Sequence, residues 1–163
     1  MTRKILTGWK YLKTPKKLSI QLYRKLAVNP NSTCFFFLDT TPLHWASYYG
    51  KIDVVRYLLT FTDDTNSRTK KGETPLHFAT ISERIQVLKL LLDYAKDKNP
   101  ACKDGLTLLH LAAKHGNLEI FQLVWNLTQD KNPASGSKNT PLHVAAERGH
   151  YNIVEFLTTR LKG

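Results

Sequence analysis

Apolar and polar positions along this chain fall into a pattern that returns four times. After Thr41, Thr74, Thr107 and Thr140 comes a leucine two residues on, an alanine five residues on, and then a second small residue. Nine residues on, three of the four stretches have glycine (Gly50, Gly116, Gly149), and the other has Glu83. Apolar pairs follow at Val54-Val55, Val87-Leu88, Ile120-Phe121 and Ile153-Val154. A later apolar group stands at Leu58-Leu59, Leu90-Leu91-Leu92, Leu123-Val124 and Phe156-Leu157. Positions 54, 55, 58 and 59 have the i, i+1, i+4, i+5 spacing of one helical face. Each stretch therefore predicts two short antiparallel helices separated by a glycine turn. The polar, turn-rich residues before the next threonine, such as Asp97-Lys98-Asn99-Pro100 and Lys103-Asp104-Gly105, predict an extended hairpin loop.

The threonines also head a recurring phrase. Thr41-Pro42-Leu43-His44, Thr74-Pro75-Leu76-His77, Thr107-Leu108-Leu109-His110 and Thr140-Pro141-Leu142-His143 place their histidines 33 residues apart each time. Proline just after the threonine suits a first helical turn, where its missing N–H has no intrahelical partner. Period, phrase, alanine and glycine together resemble the ankyrin repeat, over about residues 33–163. The resemblance implies an all-α solenoid of stacked helix-turn-helix units with β-hairpin fingers, in repeats of about 38–66, 71–99, 104–132 and 137–163.

Some positions depart from the pattern. Leu108 replaces the proline of the third unit, which should be tolerated because proline there only pre-organises. Glu83 stands where the turn wants glycine, so that turn is expected to cost more or to bend differently. The finger glycine seen at Gly72 and Gly105 is Asp39 in the first unit and Lys138 in the fourth, and both fingers are expected to be altered in shape. Residues 1–32 lack the phrase, but Leu18, Leu22, Tyr23 and Leu26 share one helical face over about 17–27. They read as a basic N-terminal segment holding a degenerate capping repeat, whose lysine-rich outer face keeps the stack soluble. No polar cap is visible at the other end, so the stack reads as part of a longer protein.

Charge sharpens this division. The formal net charge is +11, yet residues 1–38 carry eight basic side chains and no acidic one. The rest of the chain holds sixteen basic and thirteen acidic side chains. Two cysteines, Cys34 and Cys102, match neither a disulfide framework nor a metal spacing. Reduced thiols favour an intracellular protein, cytoplasmic first and nuclear second. No apolar run approaches the ~20 residues that cross a bilayer.

Candidate chemistry is sparse. Successive phrase histidines would lie about 10 Å apart, the packing distance of neighbouring helices, and cannot share one ion. The resemblance gives the histidine and its threonine a structural role, bonding the turn. No nucleophile elbow, P-loop or dinucleotide glycine pattern occurs, so neither catalysis, metal nor cofactor is expected.

What remains is binding. In ankyrin stacks the groove is lined by finger residues before the threonine and by the end of the first helix. Carried over by register, the first unit offers Phe35, Phe37, Leu38, Thr40, Tyr48 and Tyr49. The second offers Arg68, Lys70 and Lys71, the third Lys103, Leu106, Lys114 and His115, and the fourth Arg148. One end is aromatic and the middle is basic, which suits a partner protein with an acidic segment. For the phenylalanines the alternative is packing against the cap. Two other functions stay open: the basic N-terminal arm could hold nucleic acid or anionic lipid, or the repeats could target a larger enzyme, channel or scaffold.

Overall fold

The computed structural model describes residues 40–62 and 64–161. Its helices come in pairs: α1 (Pro42–Tyr48) with α2 (Ile52–Leu59), α3 (Pro75–Ile81) with α4 (Ile85–Tyr94), α5 (Leu108–His115) with α6 (Leu118–Leu127), and α7 (Pro141–Glu147) with α8 (Tyr151–Arg160). The capping segment read in residues 1–32 lies outside the described residues, as do Phe35, Phe37, Leu38 and the finger residue Asp39.

Each first helix opens on one device. The threonine is the N-cap, and its side chain accepts from the backbone N–H of the histidine three residues on. The histidine Nδ1 in turn accepts from the threonine N–H, at 3.0, 3.1, 3.1 and 3.3 Å along the chain. Because Nδ1 accepts, the proton sits on Nε2. In the first three units Nε2–H donates across to a carbonyl of the next finger. Those acceptors are Glu73, Leu106 and Asn139, at 3.3, 3.4 and 2.9 Å. One ring thus caps its own helix and ties it to the following unit. Leu108 is tolerated as expected, because α5 carries the same capping box without proline.

The turn after each first helix is left-handed in every unit. Gly50, Gly116 and Gly149 have φ of 68, 75 and 73°, and Glu83 has 56°. Of the two outcomes expected at Glu83, a costlier turn or a different bend, the bend is unchanged. Its N–H reaches Thr80 O at 3.1 Å, as Gly149 N–H reaches Ala146 O at 3.1 Å. The glutamate instead carries the left-handed strain, about 1–2 kcal/mol.

The fourth finger also keeps its shape. Its closing bonds, Ser135 N–H to Asn139 O at 2.9 Å and Lys138 N–H to Ser135 O at 2.8 Å, match those of Thr69, Gly72 and Glu73 in the second. Lys138 takes the glycine conformation with φ 64°. Among the described residues the fingers are tight turns without regular strands. Adjacent tips are linked, Lys103 N–H to Lys71 O at 2.9 Å and Gly136 N–H to Asp104 O at 2.8 Å.

The core is a row of equivalent positions. Val55, Leu88 and Phe121 are fully buried, as are Leu91, Val124 and Leu157 further along the second helices. Each large buried side chain stabilises by about 1.5–3 kcal/mol. Ala46, Ala79, Ala112 and Ala145, also buried, let the first helices approach closely. At the ends of α4 and α6, Lys98 and Lys131 donate their ammonium groups to Leu92 O and Trp125 O. They complement the negative end of the helix dipole.

Candidate partner-binding surface

Three positions of each first helix face the same side of the stack. Four residues after the threonine stand Trp45, Phe78, Leu111 and Val144. Seven after stand Tyr48, Ile81, Lys114 and Glu147, and eight after Tyr49, Ser82, His115 and Arg148. The row passes from rings to aliphatics to charges within four units.

Its aromatic end is one cluster. Trp45 stacks with Tyr49 at 6.0 Å between centroids, and meets Tyr48 and Phe78 edge-on at 6.2 and 6.0 Å. Tyr48 meets Tyr49 at 5.3 Å and Phe78 at 6.4 Å, both near perpendicular. These are the preferred offset and T-shaped geometries, worth about 0.5–1.5 kcal/mol per pair beyond area burial. Trp45 and Phe78 are half-buried, whereas Tyr48 and Tyr49 keep 38% and 39% of their surface exposed. The two tyrosines are outer rings laid on a packed base. The backbone beneath is fixed too: Arg84 Nε–H donates to Tyr48 O at 3.3 Å.

Other candidates divide by what they touch. Thr40 is buried at 2% and accepts from Trp45 Nε1–H at 2.9 Å, so it holds the tryptophan rather than facing a partner. Arg68 is exposed, but its Nη1 donates to Gly72 O at 3.0 Å and Ala101 O at 2.6 Å, stapling two fingers together. Leu106 is half-buried. Lys70, Lys71 and Lys103 are exposed on the finger tips, and Lys114, His115 and Arg148 are exposed at the ends of first helices.

Register alone pointed to Tyr48 and Tyr49 but missed Trp45, Phe78 and Arg84. The signal was present. Trp45 precedes the tyrosines by three and four residues, the spacing of one helical stripe, and Phe78 is its equivalent one period on.

The phrase histidines have structural work. Burial lowers the pKa of His44 and of His77 to about 4, against the opposing pull of the carbonyl each ring bonds. Burial likewise lowers that of His110. All three are neutral near pH 7. Among the described residues, no group of three or more His, Cys, Asp or Glu side chains is placed to hold a metal ion. No described helix is long and apolar enough to cross a membrane.

The family model for ankyrin repeats (3 copies) matches residues 16–102 and 95–162. The chain belongs to the ankyrin-repeat family. None of the curated proteins compared with it matches. Ankyrin repeats generally serve as protein–protein interaction modules and are typically non-catalytic.

Proposed function

We propose that this ankyrin-repeat chain is a non-catalytic recognition module that docks one partner protein on the first-helix side of the stack. The observation that carries this reading is the four-ring cluster, two rings packed and two exposed. Tyrosine on a rigid base offers large contact area at small entropic cost, as interface anchors do. Lys70, Lys71, Lys103, Lys114 and Arg148 would select an acidic segment, mainly through association rate and register. By sequence register Phe35, Phe37 and Leu38, outside the described residues, are further candidates for contact with the same partner. The scarcity of cysteine supports an intracellular, cytoplasmic setting.

The test is capture of partners from a cell extract, identification by mass spectrometry, and titration of the captured protein against variants. Tyr48→Ala or Tyr49→Ala should weaken binding by about 2 kcal/mol, roughly thirtyfold in Kd. The ring contacts that each tyrosine loses should lower the melting temperature by several degrees, with the variant still fully folded at the titration temperature. A drop in melting temperature that accounts for the lost binding would make these rings core and reject them as anchors.

A further inference from the structure

Large apolar side chains left open to solvent recur at one place in the repeat. Phe61, Tyr94 and Leu127 stand at the same distance from their threonines, with 59%, 57% and 47% of their surface exposed. Tyr94 and Leu127 are the last residues of α4 and α6, and Phe61 lies just beyond α2. Three residues before each, Leu58, Leu91 and Val124 are buried in the core. Both α4 and α6 have a unit on either side, so the exposure of Tyr94 and Leu127 is not an end effect. Because the two helices of a unit run antiparallel, this row lies at the opposite end of the pairs from Tyr48 and Tyr49. An exposed apolar row of this kind marks an interaction surface.

A row of carboxylates runs beside it. Three residues after each apolar side chain stands an exposed aspartate, Asp64, Asp97 or Asp130. Each accepts from the backbone N–H of an asparagine two residues on, at 3.1, 3.0 and 3.0 Å, which fixes the carboxylates in line. Asp93 adds another exposed carboxylate next to Tyr94. A cleft of about 590 Å³ opens between the connectors that follow α4 and α6, and Leu127, Asp97 and Asp130 share its wall with Lys96.

The charge narrows the occupant. Lys98 and Lys131 are half-buried, with their ammonium groups on Leu92 O and Trp125 O. The exposed charges around the three apolar side chains are therefore Asp64, Asp93, Asp97 and Asp130 against Lys96. In the fourth unit Arg160 takes the row position, over the Phe156 ring at 5.0 Å, and ends the apolar stretch. Anionic lipid would meet carboxylates here, whereas a basic segment would find its complement. The period supplies the shape. Neighbouring helices step by about 10 Å, and seven residues of α-helix rise about 10.5 Å. A helix laid along the stack thus matches one apolar side chain in every seven to each unit. We propose that this row docks a basic amphipathic helix of a partner protein, with apolar residues at i, i+7 and i+14 on Phe61, Tyr94 and Leu127 and lysine or arginine on the aspartates.

The probe is a labelled synthetic helix with leucine at those three positions and lysines flanking them, titrated into the full chain by fluorescence anisotropy. A chain of net charge +11 repels a cationic peptide in general, so binding needs the local acidic row. Saturable binding with a Kd on the order of 10 µM is expected, weakening as salt is raised. A peptide of the same composition with its leucines spread around the helix should bind at least about tenfold more weakly. Tyr94→Ser and Leu127→Ser should each weaken the parent peptide by about tenfold with unchanged helical circular dichroism. Asp97→Asn with Asp130→Asn keeps an oxygen for each asparagine N–H but removes the charge, and should weaken binding and flatten its salt dependence. Tyr48→Ala should bind this peptide like the parent. No saturable binding up to about 1 mM, equal binding of the reordered peptide, or indifference to the serine variants overturns the proposal. Capture of the chain on phosphatidylserine vesicles that Tyr94→Ser abolishes would assign the row to a membrane and overturn it equally.

Discussion

Thr80 shows how closely one side chain can be judged against its counterparts. The residue six after each threonine is Ser47, Thr80, Ala113 and Ala146. Ser47 settles its hydroxyl on Leu43 O at 2.6 Å, and the alanines have none to settle. Thr80 is buried at 1%, and its Oγ1 has no hydrogen-bond partner among the described residues. An unmet buried hydroxyl costs about 1–3 kcal/mol. Thr80→Val keeps the branched shape and removes the orphan, so it should stabilise by about 1 kcal/mol. Thermal denaturation would then move up by roughly 2–4 °C. A variant that melts lower would mean that the hydroxyl finds an acceptor in solution. Nothing in the sequence separates Thr80 from Ser47, because both are small polar residues in one register. Only the direction of the hydroxyl distinguishes them.

At the level of the turn, exchange between units is matched by a neighbour. The residue after each left-handed turn reaches back to the unit before. Arg84 bonds Tyr48 O beside Gly50, and His150 Nε2 bonds Lys114 O at 3.1 Å beside Gly116. Where the turn residue is Glu83, the reaching residue is Asn117, which donates to the glutamate Oε2 at 3.0 Å while capping α6. The glycine pattern was legible in the sequence, but this pairing across 34 residues was not, since it appears only once the units stack. It makes two chemically equal substitutions unequal. Gly116 and Gly149 have φ of 75 and 73°, so an alanine at either pays similar left-handed strain. A Cβ on Gly116 would come within 2.5 Å of His150 Nδ1, whereas one on Gly149 meets nothing within 4 Å. Gly149→Ala should cost about 1 kcal/mol, and Gly116→Ala about 1 kcal/mol more. The excess should vanish when Gly116→Ala is made in a His150→Ala background, as a double-mutant cycle would reveal. Equal losses from the two single variants would refute the clash.

Across the whole molecule, the repeat was legible because each period must bury the same faces against the next, which forces the same residues to recur. The candidate surface was legible only in part, because an open face places no such demand on its residues; register pointed to Tyr48 and Tyr49 but passed over Trp45 and Phe78. What the recurrence did not disclose is that it concentrates buried neutral histidine, with a consequence for the entire stack. In the unfolded chain these rings titrate near 6.5, and in the folded chain burial brings His44 and His77 to about 4. Between those values the unfolded chain binds more protons, so stability is complete above about pH 6.5 and falls as the pH drops towards 4. From pH 7 to pH 5 the two rings together should remove about 4 kcal/mol. That is a large fraction of a typical folding free energy, and for a chain of this size it lowers the melting temperature by about 10 °C. His110, lowered in the same direction, adds to the fall. Carboxylates contribute little over this interval because their ordinary range lies below it. Melting curves at half-unit steps from pH 7 to pH 5 should therefore descend steadily, and a flat profile would show that these rings are not buried neutral in solution. His77→Gln supplies the internal check. Whatever it costs at pH 7, it removes one of the two most shifted rings and should cut the pH-dependent loss by nearly half.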